Sequence, residues 1–140
     1  MSIAALITWV ITAGLGSYMV ATWRRHGGLK NDASATHLPP ARVFTHLGLA
    51  VVGLVLWIIF VATDAVVWAW IAVADLVLVA ALGGVLVRRW IADGRLAMSG
   101  ASVGDLAEQH IPRPPVVLHG VFAASTFVLV VLSAVGVGGG

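Results

Sequence analysis

Two histidines, His46 and His119, are the residues of this sequence best suited to hold a metal. Each ends a similar phrase, HLPPARVFTH at 37–46 and HIPRPPVVLH at 110–119, and each is followed by an apolar run. An ionisable side chain inside a membrane helix normally faces the bundle interior and indicates a function. Two imidazoles at one depth on neighbouring helices are typical of bis-histidine haem ligation.

The elements that position these histidines are indicated by composition. Hydrophobic residues make up 60% of the 140-residue chain and charged residues only 10%, whereas a soluble domain has about 25% charged residues. Four apolar runs, at about 3–22, 43–62, 65–87 and 116–137, are long enough to cross a bilayer. We therefore predict a single all-α integral membrane domain over residues 1–140, a bundle of four transmembrane helices.

The positive charges predict how the chain sits in the membrane. All eight Lys and Arg residues lie between runs one and two or between runs three and four. Short basic loops remain in the cytoplasm, so we expect both loops on the cytoplasmic side of the cell membrane and both termini on its outer side. The net charge of +2 is thus a topology signal and gives no reason to expect nucleic acid binding. The absence of cysteine excludes thiolate chemistry and thiolate metal ligands.

The repeated phrase suggests a tandem duplication. Each half, about 1–64 and 65–140, contains a helix, an arginine pair, a loop, a His-x-Pro segment and a second helix. Two such hairpins in the same orientation are related by a pseudo-twofold axis along the membrane normal. The prolines mark the starts of helices two and four, since proline is tolerated in the first helical turn. The alternative is coincidence, because basic helix ends and helix-opening prolines are common features of membrane proteins. The matched parts are Arg24-Arg25 with Arg88-Arg89, His37 with His110, and His46 with His119.

The haem hypothesis makes His46 and His119 the axial ligands, about three residues inside their helices. Arg42 and Arg113, near the starts of those helices, are the expected partners of the haem propionates, because guanidinium groups suit carboxylates. The alternatives are a structural or proton-handling histidine pair, or a different metal. Glycines near the same level are expected to leave room for the porphyrin: Gly16, Gly48, Gly83, Gly84 and Gly120. The remaining histidines are expected to be solvated loop or surface residues: His26, His37 and His110.

Asp75 is the one acidic residue near the middle of a predicted span. A charged carboxylate there costs at least ~2.5–3.5 kcal/mol, so Asp75 should face the bundle and find donors. The candidate donors at similar depth are Thr12, Ser125 and Thr126. A polar clamp between helices is the favoured role, and a proton or ion relay is the alternative. In the second loop, Ser102 with Asp105 resembles a capping box that opens a short surface helix ending near Gln109.

The segment PPVVLHGV at 114–121 leads into an Ala/Val/Leu-rich helix and resembles small four-helix membrane proteins of actinobacteria. The layout of the whole chain is more distantly similar to four-helix membrane b-type cytochromes. That resemblance implies haem b between histidines of paired helices. Because only His46 and His119 lie within predicted helices, it implies one haem at most.

These observations favour a membrane b-type haem protein for electron transfer or redox support of a larger respiratory or redox assembly. The second hypothesis is a cofactor-free accessory or scaffold subunit. The third is a transporter or channel unit, in which four short helices would need to form a homo-oligomer to enclose a path. In each case the lipid bilayer is the first partner.

Overall fold

The computed structural model describes residues 1–30, 32–100 and 105–137, and within them the chain is helical without strands. The four long helices are α1 (Ser2–Arg25), α2 (Pro40–Thr63), α3 (Val66–Met98) and α4 (Arg113–Ala134). A short 3-10 turn, Ala107–His110, precedes α4. Each long helix is apolar and long enough to cross a membrane. The all-helical class and the predicted number of long helices are thus confirmed, and their apolar character suggests a multi-pass membrane protein.

The helix starts agree with the proline prediction, and one helix end does not agree with the predicted span. Pro40 is the first residue of α2, and Pro114 lies in the first turn of α4. By contrast, α3 continues past Arg88 and Arg89 to Met98, well beyond the predicted end at residue 87. The reason is that residues 88–98 contain no proline and several good helix formers. This extension carries Asp93 out beyond the apolar part of the helix.

The surface helix predicted in the second loop is replaced in part by a shorter element. Ser102, its proposed cap, lies outside the described residues. The 3-10 turn occupies 107–110, where α-helix was expected up to Gln109.

At the opposite end of the bundle, Asp64 ends α2 in the left-handed conformation with φ 54°. Aspartate tolerates that conformation better than most residues, and it allows the tight turn into α3.

The helices pack mainly in two antiparallel pairs, α1 with α4 and α2 with α3. The short turn at Asp64 joins α2 to α3 and places these two helices side by side. The helices of the predicted hairpins, α1 with α2 and α3 with α4, are in less extensive contact. Small residues at the contacts let the helix backbones approach closely, as in other membrane bundles. The small residues buried at these contacts include four alanines that are 0–5% exposed: Ala5, Ala69, Ala72 and Ala134.

Two hydrophobic clusters fill the bundle, one toward the Asp64 end and one beside the basic loops. The level of His46 and His119 lies between them along every helix. The first cluster contains Ala5, Trp9, Trp57, Ala69, Ala72, Leu76, Val130 and Ala134. The second contains Trp23, Leu38, Val43, Ala107 and Ile111. His46 and His119 therefore lie between the two hydrophobic clusters.

Candidate functional site

His46 and His119 meet in the bundle interior. Each is the seventh residue of its helix, so each lies ~9 Å along the axis from the helix start at 1.5 Å per residue. This is deeper than the predicted three residues, because that number counts from the apolar runs at 43 and 116, whereas the helices begin at Pro40 and Arg113. The centres of the two imidazole rings are 6.3 Å apart, and the ring planes are inclined by 58°. Both residues are half-buried.

Each imidazole is held by a backbone carbonyl of the helix beside it. The Nδ1 atom of His46 is 3.0 Å from the carbonyl oxygen of Val79 on α3. The Nδ1 atom of His119 is 3.0 Å from the carbonyl oxygen of Thr12 on α1. A carbonyl oxygen can only accept, so both contacts require a proton on Nδ1. In the neutral imidazoles Nε2 is then the nitrogen with the free lone pair, the form that binds a metal.

A glycine makes room for each imidazole. A Cβ atom at Gly83 would lie 3.0 Å from Cε1 of His46, and one at Gly16 would lie 3.2 Å from Cε1 of His119. Either distance is tighter than ordinary carbon–carbon contact, so a side chain at these positions would push the ring. In both helices the glycine comes four residues after the carbonyl that accepts from Nδ1. The two histidine sites are therefore built from the same parts.

The glycines at this level do not all serve the expected purpose. Gly16 and Gly83, which were expected to leave space for a porphyrin, face the imidazoles themselves. At the three other positions an added Cβ would meet no atom of the described chain within 4 Å, so these backbones border open space. They are Gly48, Gly84 and Gly120.

The two imidazoles could act together as metal donors. Their ring centres are 6.3 Å apart, and a metal–imidazole bond is ~2.0–2.1 Å long. Each neutral ring keeps Nε2 free as a donor. Imidazole nitrogen is a donor that a haem iron accepts, so the chemistry of the pair would suit a haem.

Arg42 and Arg113 lie at the same end of the bundle as the histidine pair. Arg42 is the third residue of α2, and Arg113 is the first residue of α4. Both are exposed. The Nη2 group of Arg113 is 3.7 Å from the sulfur of Met98, and no ion pair involves either arginine within the described residues. Both guanidinium groups thus have hydrogen-bonding capacity left for an anion.

Asp75 faces the bundle, as predicted, and is 9% exposed. Its carboxyl group fills the space left by Gly53 on α2, where a Cβ would overlap Oδ2. A Cβ added at Gly53 would also contact the ring of Trp9. Oδ2 is buried and has no hydrogen-bond partner among the described residues.

The donors predicted for Asp75 are bonded elsewhere, so the expected clamp is wrong in its partners. Thr126 donates to Thr8 Oγ1 at 2.9 Å, a contact between α4 and α1. Thr12 donates to the carbonyl of Thr8, and Ser125 donates to the carbonyl one turn before it. Helical Ser and Thr hydroxyls often bond back to their own helix in this way, which leaves none for the acid.

A second polar cluster lies beside the loops, and sequence reasoning missed it. The carboxylate of Glu108 accepts from the Thr36 hydroxyl and from the backbone N–H of His37, both at 2.6 Å. The Nδ1 atom of His37 is 3.0 Å from Oδ1 of Asp93. His37 was expected to be a solvated loop residue, but it lies against two buried carboxylates. No local spacing indicates this, because Asp93 and Glu108 are far from His37 in sequence.

Two tryptophans hold the loops around this cluster. The indole N–H of Trp23 donates to Thr36 Oγ1, and that of Trp90 donates to the carbonyl of Glu108, both at 3.0 Å. The backbone N–H of Ala107 also donates to the carbonyl of Ala35 at 2.8 Å. The first loop and the 3-10 turn before α4 are therefore joined directly.

The two other loop histidines form a separate pair at the surface. The rings of His26 and His110 stack with centres 3.9 Å apart and planes inclined by 9°. Nε2 of His110 lies 3.4 Å from the exposed carboxylate of Asp105. His26 is exposed, as predicted, and His110 is half-buried.

No known family, curated protein or solved structure matches this chain. Its function is therefore inferred from the geometry and chemistry of its own residues.

Proposed function

We propose that this protein holds one b-type haem between His46 and His119 and works in electron transfer or redox support of a larger membrane assembly. The observation that carries the proposal is the pair of imidazoles with ring centres 6.3 Å apart. The chain has no cysteine, so such a haem would be bound without a covalent link to a thiol. A haem bound there supplies one-electron redox chemistry.

The residues around the pair have distinct roles in this proposal. The carbonyls of Val79 and Thr12 hold the Nδ1 protons, which orients each ring and keeps Nε2 available as the ligand. Arg42 and Arg113 bind the carboxylates of the cofactor, because planar guanidinium groups pair well with them. Asp75 lies about one turn of α3 from Val79, toward the membrane interior.

A tandem origin of the bundle is supported by the matched contacts. His46 with Val79 and Gly83 repeats the arrangement of His119 with Thr12 and Gly16. These contacts match each residue of α1 with the residue of α3 that lies 67 positions later, and the same spacing separates Trp23 from Trp90. The arginine pairs that were matched in the sequence are separated by a different number of residues. A pseudo-twofold relation would set the two ligands at the same depth.

The membrane orientation follows from the charge of the loops. Both basic loops face the cytoplasm in the cell membrane, and both termini face outward. The histidine pair then lies nearer the cytoplasmic face, since α2 and α4 start from those loops. Its redox partner is therefore expected within the membrane or at its cytoplasmic surface, as a component of a respiratory or redox complex.

The test is the absorbance of the purified protein. The chain is expressed with a haem precursor supplied, and reduced-minus-oxidised spectra are recorded. We expect a low-spin b-type spectrum with one haem per chain. Either His46→Ala or His119→Ala should abolish it, because the two ligands act as a unit.

His26→Ala is the matched control, since this histidine is exposed at the surface. It should leave the spectrum unchanged. Arg42→Gln and Arg113→Gln should retain haem but shift its midpoint potential, because they change the charge near the cofactor. A folded protein that takes up no haem would refute the proposal. It would leave the cofactor-free accessory subunit, or an oligomeric transporter unit, as the better account.

A further inference from the structure

The cluster beside the loops brings three potential metal ligands together from three separate segments. His37 comes from the first loop, Asp93 from the extension of α3, and Glu108 from the 3-10 turn. One donor atom from each lies within 4.8 Å of the other two. Six-coordinate ions bind ligands at ~2.1 Å, which sets opposite ligands ~4.2 Å apart. Small side-chain movements would therefore bring all three donors onto one ion.

The burial of this cluster distinguishes it from a solvated group of acids. Glu108 is 0% exposed and Asp93 is 1% exposed. Oδ1 of Asp93 is directed at His37, and its buried Oδ2 accepts no hydrogen bond within the described chain. Buried carboxylates are normally paired or bound to a metal.

The nearest permanently charged group to the two buried carboxylates is partly in water. The closest guanidinium is that of Arg89, whose Nε is 3.4 Å from Oδ2 of Asp93 and whose side chain is 51% exposed. Within the described residues, Glu108 is held only by neutral donors, the Thr36 hydroxyl and the His37 backbone N–H. A bound cation would place a permanent positive charge in direct contact with both carboxylates.

We propose that His37, Asp93 and Glu108 bind one divalent first-row metal ion of the Mn²⁺, Fe²⁺ or Zn²⁺ class. One imidazole with two carboxylates, and no sulfur, is a donor set that suits these ions. The side chain of His37 is 25% exposed, so an ion can enter from water. Thr36, which donates to Glu108, orients that ligand in the way that outer hydrogen bonds orient metal ligands elsewhere.

The ion joins the two loops that lead into the histidine-bearing helices. His37 lies three residues before α2, and Glu108 lies five residues before α4. Asp93 connects both to α3. This site is independent of the proposed haem, because it shares no ligand with it.

The experiment uses the full chain in detergent, treated with chelator and then dialysed against Zn²⁺ or, separately, Mn²⁺. Metal content and thermal stability are measured. We expect one equivalent per chain and a raised melting temperature with metal. Asp93→Asn and His37→Ala should lose the bound ion, and Thr36→Val should weaken affinity by ~10–100-fold.

The stacked pair of His26 and His110 is the internal control, because it also brings imidazoles close to a carboxylate. The double variant His26→Ala/His110→Ala should retain the metal. X-ray absorption at the zinc edge of the unmodified protein should report one imidazole among oxygen ligands, a result that depends on no variant folding. Absence of stoichiometric metal, or loss of metal in the double variant instead of in His37→Ala, would overturn the proposal.

Discussion

Adding one methyl group at Gly83 should displace the imidazole of His46, whereas adding it at Gly84 should not. A Cβ at Gly83 would lie 3.0 Å from Cε1 of His46, and a Cβ at Gly84 would meet nothing within 4 Å. The two substitutions are adjacent in one helix and chemically identical. Any difference between Gly83→Ala and Gly84→Ala therefore reports the contact with His46.

The expected difference can be estimated from the contact. Carbon atoms pack best at ~3.5–4.0 Å, so the ring must move by ~0.5 Å or more to relieve the overlap. That movement stretches the 3.0 Å contact from Nδ1 to the carbonyl of Val79. Hydrogen bonds between membrane helices contribute ~0.6 kcal/mol on average and up to ~1.7 kcal/mol. Both variants gain helix propensity of up to ~1 kcal/mol, which cancels in the comparison. Gly83→Ala should therefore be less stable than Gly84→Ala by about 1 kcal/mol.

The assay is reversible unfolding of both variants in mixed micelles with increasing denaturing detergent, followed by circular dichroism. If haem is bound, its content in each variant gives a second reading. Gly83→Ala should lower haem content, because the ligand is displaced, and Gly84→Ala should retain it. Equal stability and equal haem content in the two variants would refute the packing of His46 against Gly83.

Two further predictions concern the acid and the topology. Asp75→Ala should raise stability by about 1 kcal/mol in the same unfolding assay, because it removes a buried oxygen without a partner, a group that costs ~1–3 kcal/mol. A loss of stability of that size would instead mean that Asp75 has a partner in the membrane-bound protein. Single cysteines at Lys30 and Asp64 should react with a membrane-impermeant reagent from opposite sides of the membrane, the first from the cytoplasm. Labelling of both from the same side would contradict the four-span topology.

Composition and local patterning were sufficient to predict much of the fold. A helix crossing a bilayer satisfies its own backbone hydrogen bonds and needs only a long apolar stretch. The four spans and the all-α class could therefore be read from hydropathy. The starts of α2 and α4 followed from proline, whose effect on a helix is local. The pairing of α2 with α3 has a local cause as well, because the turn at Asp64 is too short to let these helices separate.

The two imidazoles that meet in the bundle could also be identified from the sequence, since His46 and His119 are polar residues in apolar runs. Their depth was underestimated because the helices extend further into the loops than hydropathy indicates. The carbonyls that hold their rings were not predictable. Backbone acceptors belong to every residue, and only the packing of α2 on α3 and of α4 on α1 selects Val79 and Thr12.

Tertiary structure alone decided the surroundings of the other polar residues. Asp75 meets Gly53 instead of a hydroxyl. Thr12 and Ser125 bond within their own helices, and Thr126 bonds to Thr8. His37, Asp93 and Glu108 are brought together by a helix that continues past its apolar span and by two loops that fold over its end. Sequence spacing describes neighbours along one helix, whereas these contacts join segments 56 and 71 residues apart. Only the packing of the helices determines which of those distant groups share a buried space.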